Sequence, residues 1–145
     1  MILLVDNNLP PFLANTLNPL AELKGHRVVH KRTYFGRTDI PDIEWMEQLG
    51  KEKDAAFLTS DKHILTRPPE VSMFRKSSLT GFWLKSKSWR QYIKNEQFHI
   101  LAGKLILRWP DLVQVASIGT GQAYEVPIGG KLRGCLLYTS DAADE

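Results

Sequence analysis

Five oxygen-bearing residues stand where a chain can hold a hard metal ion: Asp6, Asn8, Asp42, Glu44 and Asp61. Asp6 directly follows the apolar run Ile2-Leu3-Leu4-Val5, and Ser60-Asp61 follows Ala55-Ala56-Phe57-Leu58-Thr59. In an open parallel sheet, chemistry gathers beyond the carboxyl ends of the strands. If the second strand lies outside the first and third, those two are neighbours and their acids converge on one edge. Asp42 and Glu44, near the start of a helix, reach the same edge, and Asn8 supplies a neutral oxygen. Clustered carboxylates repel and stay protonated unless a cation holds them. Such an oxygen cage suits magnesium or manganese, which bind phosphate oxygens. A metal so held activates water and neutralises charge on a phosphodiester. Each acid also has an ordinary use: Asp6 and Asn8 as helix caps, Asp42 as a complement to a helix dipole, Ser60-Asp61 as an Asx turn. Their joint placement at two strand ends and one helix start favours a shared site.

The rest of the chain is basic. It has 145 residues, with 19 Lys+Arg against 16 Asp+Glu and 43% hydrophobic residues. That length suits one domain with a sizeable core. The cations Lys24, Arg27, Lys31, Arg32 and Arg37, then Lys85, Lys87, Arg90 and Lys94, favour a polyanionic partner. No run approaches the roughly 20 apolar residues of a membrane span. Met1 to Asp6 reaches a charge after four apolar residues without a basic leader, so a cytoplasmic protein without signal peptide is expected.

The last eleven residues, Cys135 to Glu145, resemble the conceptual translation of a transposase-type sequencing adapter. They are expected to be a disordered, non-native tail outside a domain of residues 1–134. Without them sixteen acids fall to thirteen against nineteen bases, a net charge of +6, and the single cysteine disappears. A genomic read through Gly134 tests this.

Several elements must position the acids. Ile2–Val5 reads as a strand buried on both faces. Asn7 to Pro11 is a turn, and Phe12, Leu13, Leu17, Leu20 and Leu23 recur at helical spacing up to Gly25. Arg27–His30 is a second strand, residues 33–39 a loop, and Asp42 to about Lys51 a helix with Ile43, Met46 and Leu49 inward. Residues 54–59 form a third strand, giving βαβαβ, the signature of a parallel sheet. Beyond Pro68-Pro69 the pattern predicts a short helix over Val71–Ser77 and a strand over residues 81–85. A long helix follows from Trp89 to about Arg108, a second short one over residues 110–118, and an edge strand over Ala123–Val126. The fold class is α/β, a mostly parallel sheet flanked by helices.

This pattern resembles the PIN-domain family of ribonucleases, which includes the VapC toxins, in its compact PIN-like branch. The resemblance rests on Val5-Asp6-Asn7-Asn8-Leu9-Pro10, on Gly25-His26-Arg27-Val28-Val29-His30, on Asp42 and Glu44, and on Leu58-Thr59-Ser60-Asp61-Lys62, and it spans about residues 2–66. It implies Asp6, Asp42 and Asp61 as magnesium or manganese ligands, with Glu44 catalytic beside them and Asn8 and Ser60 in support. It implies single-stranded RNA cut by metal-activated water, a small antitoxin protein as partner, and a homodimer. Asn7 stands where the branch often has an acid. A fourth acid after the third strand has no clear equivalent, Glu70 being the nearest by sequence. That leaves one metal or two open, and leaves as the alternative a degenerate module that binds RNA or a protein. On this reading Asp6→Asn abolishes cleavage and leaves folding intact, or stabilises the metal-free protein.

The RNA track is placed on Lys31, Arg32, Arg37, Lys85, Lys87 and Arg90. Trp83, Trp89, Trp109 and Tyr92 could stack on bases, but aromatics at such spacing are more often core. In a strand His26 and His30 lie about 13 Å apart, too far to share an ion. His30 is read as a structural histidine, and His63 chiefly as surface packing. Gly119-Thr120-Gly121-Gln122 and Gly129-Gly130-Lys131 lack the strand–loop–helix spacing of a phosphate-binding loop and are read as turns.

Overall fold

A computed structural model describes residues 1–85, 87–118 and 121–134. The adapter-like segment 135–145, and Gly119 and Thr120 of one expected turn, lie outside the described residues. In chain order the elements are β1 (Ile2–Val5), α1 (Pro11–Glu22), β2 (Arg27–His30), α2 (Lys31–Phe35), α3 (Asp42–Leu49), β3 (Ala55–Thr59) and α4 (His63–Thr66). Then come α5 (Pro68–Ser77), β4 (Thr80–Trp83), α6 (Lys87–Lys94), α7 (Phe98–Ile118), β5 (Ala123–Glu125) and β6 (Arg133–Gly134).

The strands make one sheet in the order β2-β1-β3-β4-β5-β6, parallel throughout except for β6. β2 does lie outside, and β1 and β3 are neighbours, paired from Ile2 with Ala55 to Val5 with Leu58. Alternation along β1 explains its continuous apolar run. Leu3 and Val5 face a core shared with α1, α6 and α7, while Leu4 faces a second core under α3, α4 and α5. A strand covered on both sides needs an apolar residue at every position. Among the described residues no helix is long and apolar enough to cross a membrane.

Several expectations need correction. Residues 31–35 are helical rather than loop: the His30 ring accepts the Arg32 N–H at 3.2 Å, and Gly36, left-handed at φ 72°, ends the turn. One turn is too short to leave a periodic signal. In α3 the inward side chains are Trp45, Met46 and Leu49, and Ile43 is exposed. The long helix expected from Trp89 is two, α6 and α7. Glu96 between them has φ 55°, which no α-helix accommodates. The apolar stripe runs on from Ile93 to Phe98 across this break, so periodicity does not register it. Conversely Pro110 does not begin a new helix but lies inside α7. Trp109 and Leu112 on either side of it are buried in the α1-side core, and that packing carries the helix through the missing N–H. β5 is not the edge, because β6 pairs antiparallel outside it.

Candidate active site

Three chain segments end at the same rim of the sheet, and each delivers a side chain there. β1 ends into Asp6, whose N–H continues the ladder by donating to Leu58 O at 3.0 Å. Asp6 is 5% exposed. Its Oδ1 accepts the Asn7 N–H at 2.8 Å, and its Oδ2 accepts the Thr59 hydroxyl at 2.9 Å and the Asn8 amide at 3.1 Å. Asn8 in turn accepts both the N–H and the hydroxyl of Ser60 at 3.0 Å. Neither Asp6 nor Asn8 caps α1, whose N-cap is Pro10 without a side-chain bond. Asn8 instead ties the end of β1 to the end of β3.

Asp61 follows that junction. Its N–H donates to the Thr59 hydroxyl at 3.0 Å, and its Oδ1 accepts the His63 N–H at 2.9 Å and lies 3.0 Å from His63 Nδ1. The Asx-turn geometry is therefore present, and it engages only one carboxylate oxygen. Asp42 opens α3, and its Oδ1 accepts the Trp45 indole N–H at 2.8 Å. Burial, chiefly, pushes the Asp42 carboxyl above the usual aspartate range. The Trp45 bond and the Lys31 charge pull it back, and the charges of Asp6 and Asp61 push it further up. Asp6, Asp42 and Asp61 thus share one electrostatic neighbourhood.

Lys31 sits among them. Expected on an RNA-facing surface, it is instead 4% exposed, with Nζ 3.5 Å from Asp6 Oδ1 and 3.9 Å from Asp42 Oδ1. Its direction is fixed by His30, whose Nε2 bonds Leu9 O at 2.8 Å while Nδ1 accepts the Arg32 N–H. Those partners assign a neutral ring with the proton on Nε2, the structural histidine that the sequence suggests. Thr59 and Lys31 were not among the expected site residues as centres of the acid cluster. The signal for both was available: each stands at the carboxyl end of a strand, the rule that selects Asp6.

Two other residues go elsewhere. Glu44 is 43% exposed at its side chain and pairs with Arg37 at 2.8 Å, so it is not brought to the acids and Arg37 is not free. Arg32, Lys85, Lys87 and Arg90 are exposed. Parallel pairing of Thr59 with Trp83 sets Asp61 and Lys85, each two residues further on, at the same rim. Lys85 Nζ lies 5.5 Å from the centre of the Trp83 ring. Trp89 and Trp109 are buried and serve packing. Glu70 lies in the first turn of α5 with Oε2 buried and unbonded, and it is not among the charges that act on Asp42.

Among the described residues no three acidic, histidine or cysteine side chains close on a point that holds a metal by themselves. The donor chemistry nevertheless fits magnesium. Three carboxylates against one ammonium leave two negative charges, and the hexahydrated habit of that ion lets one or two carboxylates suffice, with waters completing the shell. Asp6, Asp42 and Asp61 are the residues that would hold it.

Residues 1–86 match the family described as PIN like domain. No curated protein and no solved structure matches the chain.

Proposed function

The chain belongs to the PIN-like domain family, a nuclease-type fold, and from that premise we propose that it is a magnesium- or manganese-dependent ribonuclease cutting single-stranded RNA. The observation that carries this reading is the convergence of acids at one strand-end rim: Asp6 and Asp42 lie within 4 Å of the same Lys31 ammonium, and the Thr59 hydroxyl joins Asp6 to the backbone of Asp61. Acids gathered at a strand-end rim offer the hard oxygen donors that a divalent cation takes. When bound, the ion neutralises phosphodiester charge and activates water. The protein's own part is positional. Thr59 and Asn8 hold Asp6 in one orientation, Trp45 holds Asp42, and the His63 N–H holds Asp61. Lys85, Lys87 and Arg90, exposed at the same rim, attract the RNA backbone.

The family resemblance extends the proposal to a cytoplasmic toxin, paired with a small antitoxin and acting as a homodimer. A second reading is a non-catalytic module that binds RNA or a protein. It is favoured by the four donors around Asp6, which satisfy that carboxylate without any metal. Cleavage of a labelled single-stranded RNA with and without magnesium decides between them. The ribonuclease reading expects magnesium-dependent products that Asp42→Asn and Asp61→Asn each remove. RNA retention without products, in magnesium and in manganese, leaves only the module.

A further inference from the structure

Lys31 is a buried charge at the acid rim that the nuclease reading does not use. Its ammonium is enclosed on three sides: Asp6 Oδ1 at 3.5 Å, Asp42 Oδ1 at 3.9 Å, and the Trp45 ring with its centre 5.2 Å away. Trp45 is not a bystander, because the same indole donates to Asp42 Oδ1 at 2.8 Å. The cage therefore consists of two carboxylate oxygens and one π-face, the surroundings that a cation takes when water is excluded. The position is built rather than incidental. Lys31 immediately follows β2, and the two bonds of the His30 ring leave little freedom in where the next side chain departs.

We propose that Lys31 is a resident counter-cation of the acid site, its ammonium filling the place between Asp6 and Asp42 that a divalent ion would otherwise take. Resting on the nuclease reading, this inference limits the number of ions by place: with the Lys31 ammonium within 4 Å of both Asp6 and Asp42, the position between them is filled, and a divalent ion can bind only beside it.

Manganese binding tests it, by calorimetry and by the electron paramagnetic resonance of free manganese, on wild type, Lys31→Met and Lys31→Arg. The expected result is that Lys31→Met binds one more manganese per chain than wild type, while Lys31→Arg binds the wild-type number. An unchanged count in Lys31→Met, at whatever affinity, overturns the proposal. The wild-type count itself judges the nuclease reading separately: one ion supports it, and none removes it even where Lys31→Met gains an ion. Thermal melts add a second readout. Lys31→Met melts below wild type in chelator and gains more from manganese than wild type does, so a variant that unfolds without metal is still scored by its metal-driven refolding. Equal manganese gains in the two proteins also overturn the proposal.

Discussion

The Thr59 hydroxyl donates to Asp6 Oδ2 at 2.9 Å and accepts the Asp61 N–H at 3.0 Å, so one buried oxygen joins the ends of β1 and β3 to both of their acids. Thr59 has no exposed surface. Valine has the same shape without the hydroxyl, and would leave the Asp61 amide and one Asp6 lone pair unbonded. Thr59→Val is expected to cost about 1–3 kcal/mol in urea unfolding, the desolvation cost of orphaned polar groups. On the proposed ribonuclease reading, RNA cleavage falls with it, because the Asp61 backbone loses its anchor.

Asp6 and Asp42 respond to amide substitution with opposite signs. Asp6 is buried and paired with an equally buried Lys31, so Asp6→Asn breaks that pair and costs about 3 kcal/mol. This reverses the expectation that removing an acid here relieves repulsion. Asp42 has its carboxyl raised. A raised carboxyl contributes stability below the ordinary aspartate pKa, and that contribution is lost as pH rises through the folded value. Asp42→Asn escapes the loss. In metal-free melts it is expected to be more stable than wild type at pH 7, the difference shrinking on acidification. A constant difference across that range contradicts the assignment.

Glu44 lies outside the acid cluster, engaged with Arg37 at the surface. Exposed pairs contribute about 0–1 kcal/mol, so Glu44→Gln should shift stability by less than that. On the proposed ribonuclease reading, cleavage keeps the wild-type rate and metal dependence. Loss of activity on a par with Asp42→Asn would return Glu44 to the catalytic set.

Gly81 in β4 has its Cβ position filled by neighbours. A methyl there would meet Phe57 Cζ at 2.9 Å and Phe74 Cε2 at 3.2 Å, within an aromatic cluster that also holds Trp45. Gly81→Ala should destabilise by about 1–3 kcal/mol, the usual cost of overpacking. Denaturant unfolding reads this, and a neutral result would mean that Phe57 has room to move.

The acids were legible from sequence because one rule, polar residues immediately after apolar strand runs, finds Asp6 and Asp61 without knowing their contacts. The apolar runs left the strand order as a condition, that β2 lies outside β1 and β3, and the sheet meets it. What escaped depended on contacts between distant segments. Lys31 looks like a surface cation beside Arg32 until Asp6 and Asp42 are brought within 4 Å of it. Glu44, two residues after Asp42 in a helix, is rotated about 200° from it, so the pair does not share a face. The split into α6 and α7 turns on one left-handed residue, Glu96, whose type gives no warning.

The family match stops at residue 86, shortly after β4, while the layer over Leu3, Val5, Leu58 and Phe82 is completed by Trp89, Leu101, Leu105 and Leu112 beyond it. The segment carrying the acids is therefore not self-sufficient. Excising residues 87–134 would strip a roof of apolar side chains from the sheet. The acid rim and the helical cover, though different in how readily they are recognised, stand or fall as a unit.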